Sequence, residues 1–127
     1  PLAGVAMALE TATTAGFGEG YVFVLPTDSL IPPSQIYDRL TGAVSATSEV
    51  VLLKGERLHP LHGLFSVSLT SSMTDYVELG GRSVMGFLDD RSWAAVTVPR
   101  GWEPCLNFNT SEEYERALAA FAEMTYV

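Results

Sequence analysis

The sequence predicts an α/β domain, and three observations carry that expectation. Short apolar runs at 21–26, 50–53 and 94–98 alternate with stretches whose apolar residues recur every three or four positions. The run at 21–26 is apolar throughout rather than alternating, which suits a buried strand, so parallel pairing is expected for it. The chain has 127 residues, 47% hydrophobic and 17% charged, which suits one domain over 1–127 with a packed core.

Taken in order, residues 5–15 are alanine-rich and predict a helix, with Leu2, Val5, Leu9 and Ala12 on one face. Gly16, Gly18 and Gly20 end it and lead into the strand at 21–26. These glycines follow a helix and precede a strand, the reverse of a dinucleotide fingerprint. Pro32 and Pro33 fit the first turn of a second helix, which Ile36, Leu40 and Val44 carry to about Ser45. Residues 50–53 read as a buried strand, 54–57 as a turn and 61–67 as a strand that can pair antiparallel with its predecessor. Leu69, Met73, Tyr76 and Val77 mark a helix stopped by Gly80 and Gly81, and Val84, Phe87 and Leu88 a shorter one. Residues 94–98 form a fourth strand, 99–104 a loop, and Thr110 with Glu113 a capping box opening the last helix. Tyr114, Ala117, Leu118 and Phe121 give that helix its apolar face.

Charge and cysteine content exclude several classes. Seven basic residues against 15 acidic give a net charge of −8, so neither nucleic acid nor an anionic membrane is an expected partner. The single cysteine, Cys105, excludes an internal disulfide and fits a reducing, cytoplasmic setting. No apolar run approaches the ~18 residues of a membrane span. There is no G-x-S-x-G nucleophile elbow and no phosphate-binding G-x-x-x-x-G-K-[ST], and Lys54 is the only lysine.

Four groups of residues can carry chemistry. Asp28 stands two positions after Pro26, just past the carboxyl end of a strand, where open α/β sheets bind ligands. An acid there can hold a metal over phosphates, or it can simply form a turn or cap a helix. His59 and His62 are three apart. Without an acid or cysteine completing a set, a packed His59 and a half-exposed His62 are expected rather than zinc. Arg82 follows two glycines, where an arginine can reach a phosphate, or where it can be an ordinary surface residue after a helix stop. Asn107 and Asn109 flank Phe108. In an extended segment both amides would share one face and could meet a heterocycle or phosphate, while Asn109 and Thr110 could also cap the last helix.

The order of short motifs adds a resemblance. The series is Pro1-Leu2-Ala3-Gly4, then Leu25-Pro26-Thr27-Asp28 before Pro32-Pro33, then Gly55-Glu56-Arg57 with His59-Pro60. Gly80-Gly81-Arg82 before Val84-Met85 follows, and then Asn107-Phe108-Asn109-Thr110 before Glu113. Over nearly the whole chain it resembles the molybdenum cofactor guanylyltransferase family, from that family's P-L-A-G segment to its final helix. The resemblance implies the carboxyl-terminal part of a Rossmann-like, three-layer nucleotidyltransferase domain with a mostly parallel sheet, lacking the amino-terminal nucleotide-binding strands. It implies transfer of GMP from GTP to molybdopterin, with Mg2+ held by Asp28 as the catalytic and metal-binding residue. It further implies Leu2, Ala3 and Gly4 beside the nucleotide, and Arg82, Asn107 and Asn109 on the pterin side.

Two departures accompany the resemblance. Ser29-Leu30 replaces a small or apolar residue followed by proline, and Gly81 and Ser83 stand where the family often carries an acid or a second arginine. The family's amino-terminal strand and glycine-rich phosphate loop have no counterpart in these residues. The strand at 21–26 is therefore expected to have an open edge. Either a chain supplying that half or self-association would cover it. The alternative function is a non-catalytic binding or self-association module derived from the same fold.

Overall fold

The structure is a computed structural model that describes residues 2–26, 29–106, 108 and 110–125. In chain order the elements are α1 (Leu2–Thr14), β1 (Tyr21–Val24), α2 (Pro33–Thr41), β2 (Val50–Lys54) and β3 (Leu58–Ser66). A 3-10 turn at Val67–Leu69 leads into α3 (Thr70–Glu78), then α4 (Val84–Leu88), β4 (Trp93–Thr97), α5 (Glu103–Leu106) and α6 (Ser111–Thr125). Each predicted helix and strand is present, with ends shifted by a few residues. The largest difference lies in the loop expected at 99–104, which contains the start of α5.

The four strands form one sheet in the order β1-β3-β2-β4. The expectation of a mostly parallel sheet is corrected. Among the described residues only β2 and β4 pair in parallel, while β3 is antiparallel to both β1 and β2. The cause is the short turn at 55–57, where the Gly55 N–H donates to the Arg57 carbonyl at 2.9 Å. So short a connection can only return the chain antiparallel. β1, β2 and β4 therefore share one direction, with β3 reversed among them. Their carboxyl ends, and the start of β3, lie along one edge.

The apolar runs have a different origin from parallel pairing. Along β2 the side chains alternate between two cores, and Val50 to Leu53 are all fully buried. Val50 and Leu52 join Leu2, Val5, Leu9, Leu69, Met73 and Phe87 on one face. Val51 and Leu53 join Ile36, Leu40, Trp102, Cys105 and Leu106 on the other, where Ala120 and Phe121 of α6 also pack. The arrangement is three layers, with α1, α3 and α4 on one side of the sheet and α2, α5 and α6 on the other. Burying a leucine of this kind removes about 2 kcal/mol worth of apolar surface from water, so β2 is where the two layers are held together.

β1 is half-buried and, among the described residues, pairs only with β3. Beside β1 lies a hollow of about 370 Å3 lined by Gly4, Val5, Ala8, Val22, Val24 and Leu61 among others. The expected open edge is therefore present.

Candidate functional site

Of the residues anticipated as functional, Leu2, Ala3 and Gly4 lie in the first turn of α1 and Arg82 in the turn between α3 and α4. Asp28, Asn107 and Asn109 lie outside the described residues. Their sequence neighbours are described, and the structure brings those neighbours together. The Ser29 hydroxyl donates to the Cys105 carbonyl at 3.3 Å, and the Leu30 N–H donates to the same oxygen at 2.9 Å. Ser29 follows Asp28, and Leu106 precedes Asn107. The short α5 is thus the point at which the chain leaving β1 meets the chain entering α6. Glu113 N–H donates to Thr110 Oγ at 3.1 Å, which is one half of the anticipated capping box.

Leu2, Ala3 and Arg82 meet around a second hollow. Its volume is about 350 Å3, and Val77, Gly80 and Gly81 complete the lining. Leu2 and Ala3 occupy the first turn of α1, whose backbone N–H groups have no partner within the helix and which carries no acidic side chain. Arg82 is exposed and makes no ion pair among the described residues. A helix start and a guanidinium around one hollow together favour an anion. Residues implied separately for the nucleotide and the pterin side therefore share a pocket. Gly4 does not line it and faces the hollow beside β1 instead.

Local structure accounts for Gly81 and Ser83. The α3 helix ends with Gly80 at φ 93°, the Gly80 N–H bonding the Val77 carbonyl and the Gly81 N–H bonding the Tyr76 carbonyl. A Cβ on Gly81 would lie 2.5 Å from the Tyr76 ring. That ring is fixed, because its hydroxyl donates to the Ser83 carbonyl at 2.9 Å and it packs edge-on to Phe87. The Ser83 side chain caps α4 by accepting from the Gly86 N–H at 3.2 Å. Tyr76 thus grips the backbone on both sides of Arg82. It was not singled out from the sequence, where it reads only as one member of the apolar face of α3.

The two histidines are corrected in part. His59 is packed as expected, at 6% exposure, but His62 is buried at 3% rather than half exposed. His59 Nε2 lies 2.9 Å from Glu103 Oε1, and His62 Nε2 lies 3.1 Å from the Leu106 carbonyl. A carbonyl only accepts, so Nε2 of His62 carries the proton. Burial, followed by the neighbouring His59, lowers the His62 pKa to about 4, although the Leu106 bond and Glu103 pull the other way. No group of three or more His, Cys, Asp or Glu able to hold a metal occurs among the described residues. Cys105 is buried with Sγ 3.3 Å from the Ala117 carbonyl, and burial raises its pKa, which leaves it a packing residue. No helix among the described residues is long and apolar enough to cross a membrane.

No protein-family model matches the chain. Individual proteins do. The molybdenum cofactor guanylyltransferase of Mannheimia succiniciproducens is 32% identical over 111 residues, covering 86% of this chain and 56% of that protein. The protein of the same name from Histophilus somni is 28% identical over 118 residues, covering 91% and 58%. The chain is related to the molybdenum cofactor guanylyltransferase family. It spans a little over half the length of these relatives. Among solved structures, a putative protein from Aquifex aeolicus superimposes with a TM-score of 0.71 at 27% identity, covering 87% of this chain and 56% of that one. Molybdopterin-guanine dinucleotide biosynthesis protein A of Archaeoglobus fulgidus gives 0.71 at 19% identity, covering 97% and 63%, and shares the fold.

Two outcomes follow from this geometry. Gly81→Ala should destabilise the protein by about 1–3 kcal/mol in urea unfolding, because Tyr76 cannot yield freely. The penalty should shrink in a Tyr76→Ala background, and equal penalties in both backgrounds would contradict the contact. The second outcome concerns pH. An unfolded histidine binds its proton near 6.5, whereas folded His62 does so near 4. Between those values the unfolded chain holds more protons, so stability should fall as pH drops, by about 1.4 kcal/mol per unit for this group, and level off below. Urea unfolding of wild type and His62→Leu across that window should show this part of the slope only in wild type.

Proposed function

We propose that residues 1–127 form one domain, the carboxyl-terminal part of a nucleotidyltransferase that moves GMP from GTP to the terminal phosphate of molybdopterin, releasing pyrophosphate. The observation that carries this reading is the hollow where Leu2 and Ala3, at the positive start of α1, face Arg82. Residues almost 80 positions apart converge there, on a fold and sequence related to guanylyltransferases.

In this reading Arg82 and the first-turn N–H groups of α1 hold phosphate oxygens, and Tyr76 fixes the backbone that presents Arg82. The acceptor phosphate is itself the nucleophile, so no protein nucleophile is needed, in keeping with the buried Cys105. Asp28 is the residue that would hold Mg2+, which when bound neutralises charge on the nucleotide phosphates. One carboxylate suits an ion whose other positions go to phosphates and water. Asn107 and Asn109 would contact the pterin, and Gly4, at the hollow beside β1, would border the nucleotide side.

A second reading, a non-catalytic binding or self-association module, is favoured by the open edge of β1 and the hollow beside it. The two separate in one set of assays. The product of the intact gene, given GTP, Mg2+ and molybdopterin, should release pyrophosphate. Asp28→Asn should lower kcat by roughly a hundredfold, and Arg82→Ala should raise the KM for the acceptor about tenfold. Absence of pyrophosphate release, together with concentration-dependent self-association in sedimentation, would instead support the second reading.

A further inference from the structure

α5 has only four residues and cannot hold its own position, since a single helical turn is far below the length at which a helix is stable alone. Something external must fix it. Glu103 and Leu106, its first and last residues, are each bonded by a histidine of β3. Cys105, between them, accepts both bonds from the segment that follows β1. The element anchored by the histidines is therefore the one that joins the flank of Asp28 to the flank of Asn107.

The two histidines reach α5 because the strand is irregular. Residues three apart on a regular strand point to opposite faces. Here the β2–β3 register breaks: Leu52 pairs with Gly63, and Leu53 pairs with His59, so that residues 60–62 bulge out of the ladder. Pro60, which has no N–H to give to a ladder, falls inside the bulge. The phase is thereby reset, and the two imidazoles lie edge to face, 5.4 Å apart, on the same side of the strand. Gly55 completes the fit: a Cβ there would lie 1.7 Å from Glu103 Oε2, so only glycine lets that carboxylate sit against the turn. Glu103 Oε2 is buried and has no hydrogen-bond partner among the described residues, and the His59 bond holds the carboxylate in place.

We propose that His59 and His62 are positioning residues that fix α5 against the carboxyl edge of the sheet, and through it both chain segments that flank the site. The functional part of this inference rests on the reading that those segments meet substrate, while the positioning part does not.

The test uses the 127-residue chain without ligand, so its outcome does not depend on which function is right. Hydrogen exchange is followed in α5 and, for comparison, in the β2–β3 ladder. His59→Leu and His62→Leu should each lower protection of the Cys105 and Leu106 amides about tenfold while the ladder is unchanged, Pro104 having no amide hydrogen to follow. His59→Gln and His62→Gln each keep an N–H donor at the same reach, and should restore most of that protection. Unchanged α5 protection in both leucine variants would overturn the proposal, and so would glutamine variants as unprotected as the leucine ones. If a leucine variant fails to fold, wild type serves instead. Protonation keeps the Nε2–H bond to Leu106 but leaves a charge in a buried place, which opening of α5 would let water reach; protection of Cys105 and Leu106 should therefore fall relative to the ladder as pH is lowered towards 4, and a uniform response across both regions would count against the proposal. His59, Glu103 and the Leu106 carbonyl are the polar groups around His62 that enter this pH dependence.

Discussion

The pairing of β2 with β3, and the break in it between Leu52 and Leu53, is the constraint on which the rest depends. The short turn at 55–57 makes the pair antiparallel, and that reverses β3 within an otherwise co-directional set of strands. The break turns a strand that would scatter His59 and His62 to opposite faces into one that presents both to α5. Without the pairing, β2 would not present its alternating leucines and valines to two helical layers. Without the break, the four-residue α5 would lose its anchors.

From this centre two sites follow, one at each side of the sheet. On one face α1, the 3-10 turn and α3 bury Leu2, Leu9, Leu69 and Met73 against β2, which sets the start of α1 beside the α3–α4 turn and closes the hollow around Arg82. On the other, Trp102, Cys105 and Leu106 sink into the second core and carry α5 to the carboxyl edge. Polar bonds then do what apolar contact cannot, which is to fix orientation: Tyr76 for the Arg82 backbone, and the histidines and Ser29 for α5. The division is general: burial supplies most of the stability, whereas directed hydrogen bonds select one geometry among many of similar burial.

Much of the architecture was legible in the sequence because its signals are local. The period of Ile36 and Leu40, the Gly80-Gly81 stop and the Thr110 cap each depend on residues a turn apart. The direction of β1 was not legible, because a run that is apolar on both faces looks the same whether its neighbour runs parallel or antiparallel. α5 is not legible because a single turn at Glu103–Leu106 carries no periodicity, although Glu103-Pro104 is a usable helix-start signal. The burial of His62 was also out of reach. It depends on a bulge three residues long and on a carbonyl 44 positions away. Arg82 was legible as a candidate from Gly80-Gly81, but its meeting with Leu2 and Ala3 is a property of the packed helices and not of either segment.

The most direct measurement of the account is the register of β2 on β3 in solution. Nuclear Overhauser contacts across the pair should link Leu52 with Gly63 and Leu53 with His59, as the broken register requires. Contacts linking Leu53 with His62 would instead show an uninterrupted ladder, put the two histidines on opposite faces of the strand, and contradict the anchoring of α5 on which the site is built.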